Sequence, residues 1–318
     1  MTKKHESNWL VFALLLAVFS VVLVSGCVQE SGEEVSEPQN VSEQEEEEES
    51  EVSAPSEPID FGLPPWPGVT VKTEVVRQIL VSEGYKAESH ELDAGIVYAQ
   101  LAEGDLDVLL AGWLPVTHKD YWNKHGDKLE QVAVNVNETW LGVAVPTYTY
   151  EKNITSLEDL KGNGGMFGNR IVGIEPGAGI SQSTLEAIDA YELSNYTLAT
   201  SSTPAMMAEV DAAVDGNEDI AFTIWEPHSA FARFDIKKLE DPKQIYGGGD
   251  VVKTIARKDF KDDYPKVYDF LKEFEVSPQT QSEWILEYSD NGRDPSDIAA
   301  EWIADNPDKV DDWKESLN

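Results

Sequence analysis

The chain has 318 residues, of which 41% are hydrophobic, and a formal net charge of −36 at pH 7. This length favours one large domain or two medium ones. The charge excludes a nucleic-acid-binding protein, because the chain lacks the basic residues that would neutralise phosphates. The single cysteine, Cys27, excludes an intrachain disulfide framework and a zinc site built on thiolates.

The first 27 residues have the organisation of an export signal. Lys3 and Lys4 precede an almost entirely apolar run over Trp9–Val24, as in a secretory signal peptide. The run leads into Val-Ser-Gly-Cys, which resembles the lipidation site of a lipoprotein, so residues 1–27 are predicted to be a lipoprotein signal with the lipid on Cys27. The alternative is a transmembrane anchor, because about 20 apolar residues can span a bilayer. Both place the protein on the extracytoplasmic face of the cell membrane.

The next segment is strongly acidic. Residues 28–58 contain 12 acidic and no basic side chains, with an unbroken run at Glu45–Glu49. Such a composition buries too little apolar surface to offset chain entropy, so residues 28–60 are predicted to form a disordered tether. The remainder, 59–318, still has a net charge of −25, which indicates that the folded body is itself acidic.

From residue 59 onward, short apolar runs alternate with helical patterns, which is typical of an α/β fold built from β-α-β units. In the first predicted helix, over 69–84, Val71, Val75 and Ile79 have helical spacing and Gly84 follows as a stop signal. The other predicted elements are, in chain order, a helix over 94–103, strands over 107–113 and 139–146, a short helix over 156–160, a strand over 170–175, helices over 181–191 and 205–214, a strand over 219–225 and several helices after residue 264.

Two of the predicted strands end in the same way. Each has an Asp, five mostly apolar residues and a Trp, and the Trp is followed by one residue, a Pro and a nearby His; the tryptophans are Trp113 and Trp225. Each strand is predicted to deliver its tryptophan to the carboxyl edge of a sheet, where ligands bind in open α/β folds. The proline is predicted to start a helix at its first turn. If the two copies lie in separate lobes, both tryptophans face a common cleft.

The sequence lacks the common signatures of catalysis. It has no His-Glu-x-x-His pattern, no Gly-x-Ser-x-Gly elbow and no phosphate-binding loop. The five histidines show no metal-ligand spacing, and the acidic residues are too abundant for one carboxylate pair to stand out. We therefore predict a protein that is not an enzyme and that needs no cofactor and no metal.

The positions of the nine tryptophans divide them by role. Trp284, Trp302 and Trp313 have apolar neighbours at helical spacing, which favours core packing. Four others occupy the ends of α/β units, where binding sites form: Trp66, Trp113, Trp140 and Trp225. Several aromatic faces around one point suit a quaternary ammonium cation, which offers no hydrogen-bond donor and is recognised by ring quadrupoles.

Five motifs give the chain a resemblance to the substrate-binding lipoproteins of ABC importers for glycine betaine, choline and related betaines. The motifs are Gly112–His118, Gly142–Thr147, Gly173–Gly179, Ile224–His228 and Asp241–Lys243. The resemblance implies a type II periplasmic-binding-protein fold, in which two α/β lobes joined by a two-crossover hinge close on the ligand. It also implies an ABC permease and its ATPase as partners. In the family, a four-sided aromatic box has walls at places that match Trp66, Trp113, Trp140 and Trp225.

Applied to this chain, the resemblance predicts lobe I at residues 61–146 and 250–318 and lobe II at 147–249. The crossovers are then expected near Val145–Pro146 and Gly247–Gly249, where glycines can absorb hinge rotation.

The ligand expected from the resemblance is glycine betaine or a close relative. Choline-preferring members carry an acidic residue shortly after the first tryptophan and an asparagine in the glycine-rich turn, and this chain has Gly68 and Ala178 there. The betaine carboxylate is expected to contact the backbone N–H groups of Leu141 and Gly142. His228, in the second tryptophan motif, is also predicted to be a ligand-binding residue. The alternatives are a choline or proline betaine binder of the same fold and, from another class, a secreted lipoprotein enzyme.

The predicted anchor can be tested by replacing its only possible attachment residue. Cys27→Ser is expected to release the protein from the membrane or to leave an unprocessed precursor, because no other thiol can accept the lipid. Membrane fractionation and the mass of the mature chain measure both effects. Unchanged processing and unchanged membrane retention would contradict the lipoprotein assignment.

Overall fold

The structure, a computed structural model, describes residues 57–318. The predicted signal peptide, the lipidation site Cys27 and all but the last few residues of the predicted tether lie outside this range. In the described range, no helix combines the length and the apolar character needed to cross a bilayer.

The described chain forms two five-stranded mixed sheets. The first has the order β2-β1-β3-β10-β4, with β1 parallel to β2 and β3, and β10 antiparallel to β3 and β4. Its strands are β1 (Ile59–Leu63), β2 (Ala87–Glu91), β3 (Val108–Leu114), β4 (Leu129–Val136) and β10 (Val251–Arg257).

The second sheet has the order β7-β6-β8-β5-β9, with β6 parallel to β7 and β8, and β5 antiparallel to β8 and β9. Its strands are β5 (Trp140–Pro146), β6 (Arg170–Gly173), β7 (Thr197–Thr200), β8 (Phe222–Glu226) and β9 (Ile236–Lys238). Each sheet is the centre of one α/β lobe, which confirms the predicted fold class.

Twelve α-helices accompany the sheets in the described residues. They are α1 (Pro67–Ser82), α2 (Ala94–Glu103), α3 (Lys119–His125), α4 (Thr147–Tyr150), α5 (Gly179–Ala190), α6 (Thr203–Asp215), α7 (Ala230–Arg233), α8 (Phe260–Asp263), α9 (Pro265–Glu273), α10 (Pro278–Ile285), α11 (Pro295–Asp305) and α12 (Pro307–Lys314).

The first crossing between the sheets differs from the predicted one. The strand β5 pairs with β8 and β9, so Trp140–Pro146 belongs to the second sheet and the chain crosses at residues 137–139. A crossover near Val145–Pro146 is therefore wrong, because those residues are inside a strand and cannot act as a free connection. The chain returns through 239–250, where Gly247 and Gly249 have positive φ angles of 71° and 143°.

Helix α1 shows how local sequence forms an element of lobe I. Val71, Val75 and Ile79 are buried with their neighbours along one face, and Pro67 occupies the first turn, where its missing N–H group costs nothing. The helix ends at Ser82, and Gly84 then adopts a positive φ of 87°. The predicted helix over 69–84 thus differs from α1 by two residues at each end.

The helices that follow the paired tryptophan motifs begin later than predicted. Pro115 and Pro227 were expected at the first helical turn, but α3 begins at Lys119 and α7 at Ala230. Tight turns lie between proline and helix, and in the first motif the His118 N–H donates to the Trp113 carbonyl at 2.8 Å. The turn brings the histidine back to the end of the strand.

The predicted core tryptophans form an aromatic cluster with Phe274 in the C-terminal helices. The Trp313 ring lies 4.7 Å from Phe274 and 5.8 Å from Trp302, and Trp302 lies edge-on to Trp284 at 5.2 Å. Trp284 and Trp313 are buried, whereas Trp302 is half-buried at the edge of the cluster. The packing predicted for these tryptophans is therefore confirmed.

We expect Trp313→Ala to lower the free energy of unfolding by about 3–5 kcal/mol, because it removes a buried ring and leaves a cavity. Urea unfolding followed by circular dichroism measures the loss. The control is Val81→Ala on α1. The Val81 side chain is 53% exposed, so its truncation should change the free energy of unfolding by at most about 0.5 kcal/mol. Equal stability of the two variants would contradict a core role for Trp313.

Candidate functional site

A cavity lies where the two lobes meet. It contains about 470 Å³ of space not filled by protein atoms, part of which is open to solvent. Lobe I contributes residues from α1, β3, β10 and α10 together with the turn after β3, and lobe II contributes β5, β8 and the start of α5. Neither lobe encloses the space alone.

Three of the four predicted box tryptophans line this cavity. Trp66 is the residue before α1, Trp113 lies near the end of β3, and Trp225 lies near the end of β8. They are only 7%, 6% and 5% exposed. Cross-strand neighbours complete the walls: Val252 is opposite Trp113, and Leu141 is opposite Trp225. The two similar sequence segments thus bring their tryptophans from separate lobes to one space.

The structure places Trp140, the predicted fourth wall, outside the lining of this cavity. Since neighbouring strand residues point to opposite faces, and Leu141 lines the cavity beside Trp225, Trp140 points away from it. Its ring packs edge-on against Phe231 at 6.2 Å, and the Lys238 ammonium lies 4.9 Å from its centre.

Gly142 and His228 also lie outside the cavity lining. A Cβ atom on Gly142 would come within 2.6 Å of the Trp140 ring, so this glycine makes room for that tryptophan. His228 packs edge-on behind Trp225, with ring centres 5.0 Å apart, and burial lowers its pKa to about 4. It supports a wall of the cavity and lines a neighbouring groove.

His118 lines the cavity and was not predicted to bind. The backbone N–H of Trp113 donates to His118 Nδ1 at 3.2 Å, so the hydrogen of the neutral ring is on Nε2. Nε2 is buried and has no hydrogen-bond partner among residues 57–318. Because burial lowers the pKa of His118 to about 3, the ring is neutral at physiological pH and offers one unpaired N–H donor. The signal in the sequence was its place five residues after Trp113.

Two further polar residues of the lining, Lys72 and Gln281, were also missed. Lys72 has the helical spacing of Val69 and Val76 on the buried face of α1, and a lysine on an apolar face is the signal that could have found it. Gln281, on α10, is 2% exposed, and its Oε1 has no partner in the described chain. Both belong to lobe I.

The amino-terminal ends of two helices reach the same space. Gly68 in the first turn of α1 and Gly179 at the start of α5 line the cavity, and neither helix has a side-chain cap or an acidic residue in its first turn. Free N–H groups at a helix start favour a negative charge nearby. None of the described lining residues is acidic, so the cavity offers the donors of Lys72 and His118 and no carboxylate.

Direct contacts hold the two lobes together around the cavity. Trp66 Nε1 donates to Glu175 Oε1 at 2.6 Å, and the Tyr121 hydroxyl donates to the Gly177 carbonyl. At the surface, Lys119 pairs with Glu186 at 3.1 Å. Burial, the largest effect, raises the pKa of Glu175, although the bond from Trp66 opposes this shift. One wall of the cavity is therefore fixed to the opposite lobe.

The family model for the substrate binding domain of ABC-type glycine betaine transport systems matches residues 57–305. The chain belongs to this family. Its members are substrate-binding proteins of transporters rather than enzymes, and such proteins act outside the cytoplasm.

Three similar proteins illustrate the relationship. The glycine betaine/carnitine transport binding protein GbuC of Listeria monocytogenes serotype 1/2a (strain 10403S) is 42% identical over 149 residues, which are 46% of this chain and about half (49%) of that protein. Lactococcal OpuAC, in its closed-liganded conformation with glycine betaine, is 30% identical with a TM-score of 0.75, covering 81% of this chain and 99% of its own. An ABC-transporter choline binding protein in complex with choline is 26% identical with a TM-score of 0.77, covering 81% and 91%.

The contact between Trp66 and Glu175 gives a testable consequence. Glu175→Ala is expected to weaken ligand binding about 10-fold, because the bond exists only when the lobes meet and a hydrogen bond to a charged group contributes about 1.5 kcal/mol or more. Isothermal titration with glycine betaine measures the change. Glu175→Gln keeps an acceptor for the indole and should lose less.

The matched control is Glu186→Ala, which removes the exposed contact between the lobes. Exposed ion pairs contribute little, so its affinity should remain within about twofold of the parent protein. If Glu186→Ala weakens binding as much as Glu175→Ala, the indole contact has no special role in closure.

Proposed function

We propose that this protein captures glycine betaine, or a closely related carboxylated betaine, outside the cytoplasm and delivers it to an ABC permease and its ATPase. The observation that carries the proposal is the cavity between the lobes, which combines three tryptophans with the unpaired N–H donor of His118 and the buried Lys72, and lacks an acidic residue among its described lining. The lipid anchor on Cys27 remains part of the proposal.

The aromatic side of the cavity suits the trimethylammonium group. Trp66, Trp113 and Trp225 present ring surface from both lobes, and each ring contributes up to about 2 kcal/mol to cation binding when water is excluded. Three rings therefore supply about 6 kcal/mol before the cost of closure. A ligand that touches all three rings contacts both lobes and favours their approach.

The polar side of the cavity suits the carboxylate. The His118 Nε2–H group is an unpaired buried donor, and the amino-terminal end of α1, at Gly68, adds the positive end of the helix dipole. Leaving such donors unpaired costs about 1–3 kcal/mol each, and a carboxylate accepts from several at once. These donors are on lobe I. On lobe II, Leu141 and the start of α5 line the same cavity, and the expected contact of the carboxylate with the N–H groups of Leu141 and Gly142 remains part of the proposal.

The comparisons support this ligand class. A relative is named for glycine betaine and carnitine, and a similar structure holds glycine betaine. The rival ligand, choline, is bound by another similar protein, and proline betaine remains an alternative within the same fold. The described cavity lining favours a carboxylated ligand over choline, because it presents donors and no carboxylate that could offset a lone positive charge. Membership in a family of transport proteins argues against the alternative of a secreted enzyme.

Substitution of the tryptophans tests the proposed box. Trp113→Ala and Trp225→Ala are each expected to weaken glycine betaine binding by about 1–2 kcal/mol, or 5- to 30-fold in Kd. Trp140→Ala is the matched control: it removes the same ring from the same sheet but from the face that points away from the cavity. Its Kd should stay within about twofold of the parent protein. Isothermal titration measures all three.

Two results would contradict the proposal. One is the absence of binding of glycine betaine, proline betaine and choline to the folded parent protein. The other is a Trp140 variant that loses as much affinity as the Trp113 and Trp225 variants, since this would place the site elsewhere on the second sheet.

A further inference from the structure

A buried lysine without an opposite charge lines the proposed binding cavity. Lys72 is 1% exposed and forms no ion pair with any residue in 57–318. Lysines are almost never fully buried unless they are paired, because removal of an ammonium from water is costly. An unpaired lysine at this place therefore requires an explanation.

The surroundings of Lys72 are arranged to accept a hydrogen from it. Its Nζ donates to Asn135 Oδ1 at 2.8 Å. The Asn135 amide donates in turn to the Leu110 carbonyl at 3.2 Å and to Thr254 Oγ1 at 3.0 Å, which fixes its oxygen towards Lys72. One hydrogen of the amine is thus satisfied, and the described residues provide no partner for the others.

We propose that Lys72 selects zwitterionic betaines over choline, because its positive charge on the lobe I wall is neutralised by a ligand carboxylate and repels a ligand that carries only a cation. This inference rests on the proposed function and assigns a discriminating residue within that site. Glycine betaine brings the missing negative charge into the cavity, whereas choline brings a second positive charge beside Lys72.

The ionisable groups around Lys72 support this assignment. Burial alone lowers its pKa to about 7, with no contribution from a charged neighbour. His118, on the turn before α3, lines the same space and stays neutral because its pKa is about 3. Burial raises the pKa of Tyr98, which contacts His118, far above neutrality. The other polar side chains near Lys72 are uncharged: the amides of Asn135 and Gln281 and the hydroxyl of Thr254. The Asp250 carboxylate accepts the N–H groups of Val116 and Thr117.

The sign of the proton linkage follows from these charges. A carboxylate beside Lys72 raises its pKa, so glycine betaine should bind with proton uptake near pH 7. Choline should lower the same pKa and release protons. Choline affinity should therefore increase several-fold between about pH 6 and pH 8.5, and betaine affinity should not increase over this range.

The experiment compares glycine betaine and choline on the parent protein, Lys72→Met and Lys238→Met. Lys238 is the control, because its ammonium lies over the Trp140 ring of the second sheet and outside the cavity. The ratio of the choline Kd to the betaine Kd should fall at least about 10-fold in Lys72→Met, the effect of losing one charge-assisted contact. It should be unchanged in Lys238→Met. Titrations in buffers with different ionisation enthalpies measure the proton linkage of the parent protein.

The outcomes separate this inference from the proposed function. If the parent protein binds neither ligand, or prefers choline, the proposed function fails. If it prefers betaine but Lys72→Met keeps the same ratio, or if neither ligand shows proton linkage, the role of Lys72 is overturned. If Lys72→Met does not fold, the linkage and the pH dependence of the parent protein decide, and neither needs a substitution.

Discussion

The binding site depends on a constraint of strand geometry: two strands in different sheets must end at the same place. β3 and β8 each carry a tryptophan near the carboxyl end, and the cavity exists only where those ends face each other. No single lobe can surround a cation with aromatic rings. Ligand contact and lobe closure are therefore coupled, because a ligand favours the closed arrangement only by contacting both sides.

The contacts between the lobes differ in burial. Ser229 and Arg233 of lobe II donate hydrogen bonds to Asp290 of lobe I. The bond from Trp66 to Glu175 is partly buried, whereas the pair between Lys119 and Glu186 is exposed and contributes little. The hinge segments also touch, since Thr139 donates to the Asp250 carbonyl, and this keeps the two crossings side by side.

The sequence predicted the features that local pattern encodes and missed those that depend on pairing between distant segments. The predicted strands over 107–113 and 219–225 overlap β3 and β8, because continuous apolar runs mark buried strands. The sequence could not indicate on which side of β5 Trp140 lies, because the face of a strand residue depends on register, which the sequence of one strand does not contain. The strand β10 was also missed, since it enters the first sheet from more than 100 residues away.

The polar residues of the site were harder to predict than the aromatic ones, and the reason is energetic. A buried lysine whose pKa falls from 10.5 to about 7 makes the folded state less stable, by about 5 kcal/mol at a pH below 7, at about 1.4 kcal/mol per unit. The sign follows from the depressed pKa: the unfolded chain binds the proton more strongly, so the cost is greatest where both forms are charged and disappears above the unfolded pKa. A sequence pattern alone therefore predicts that such a lysine lies on the surface.

His118 is a second costly polar group of the site. Its unpaired N–H donor is desolvated and has no compensating hydrogen bond within the described chain. Both destabilising groups lie on the cavity wall that faces the ligand. A bound carboxylate at this wall would remove both destabilising effects. The polar groups of lobe I that destabilise the fold are thus the ones best suited to bind the ligand carboxylate.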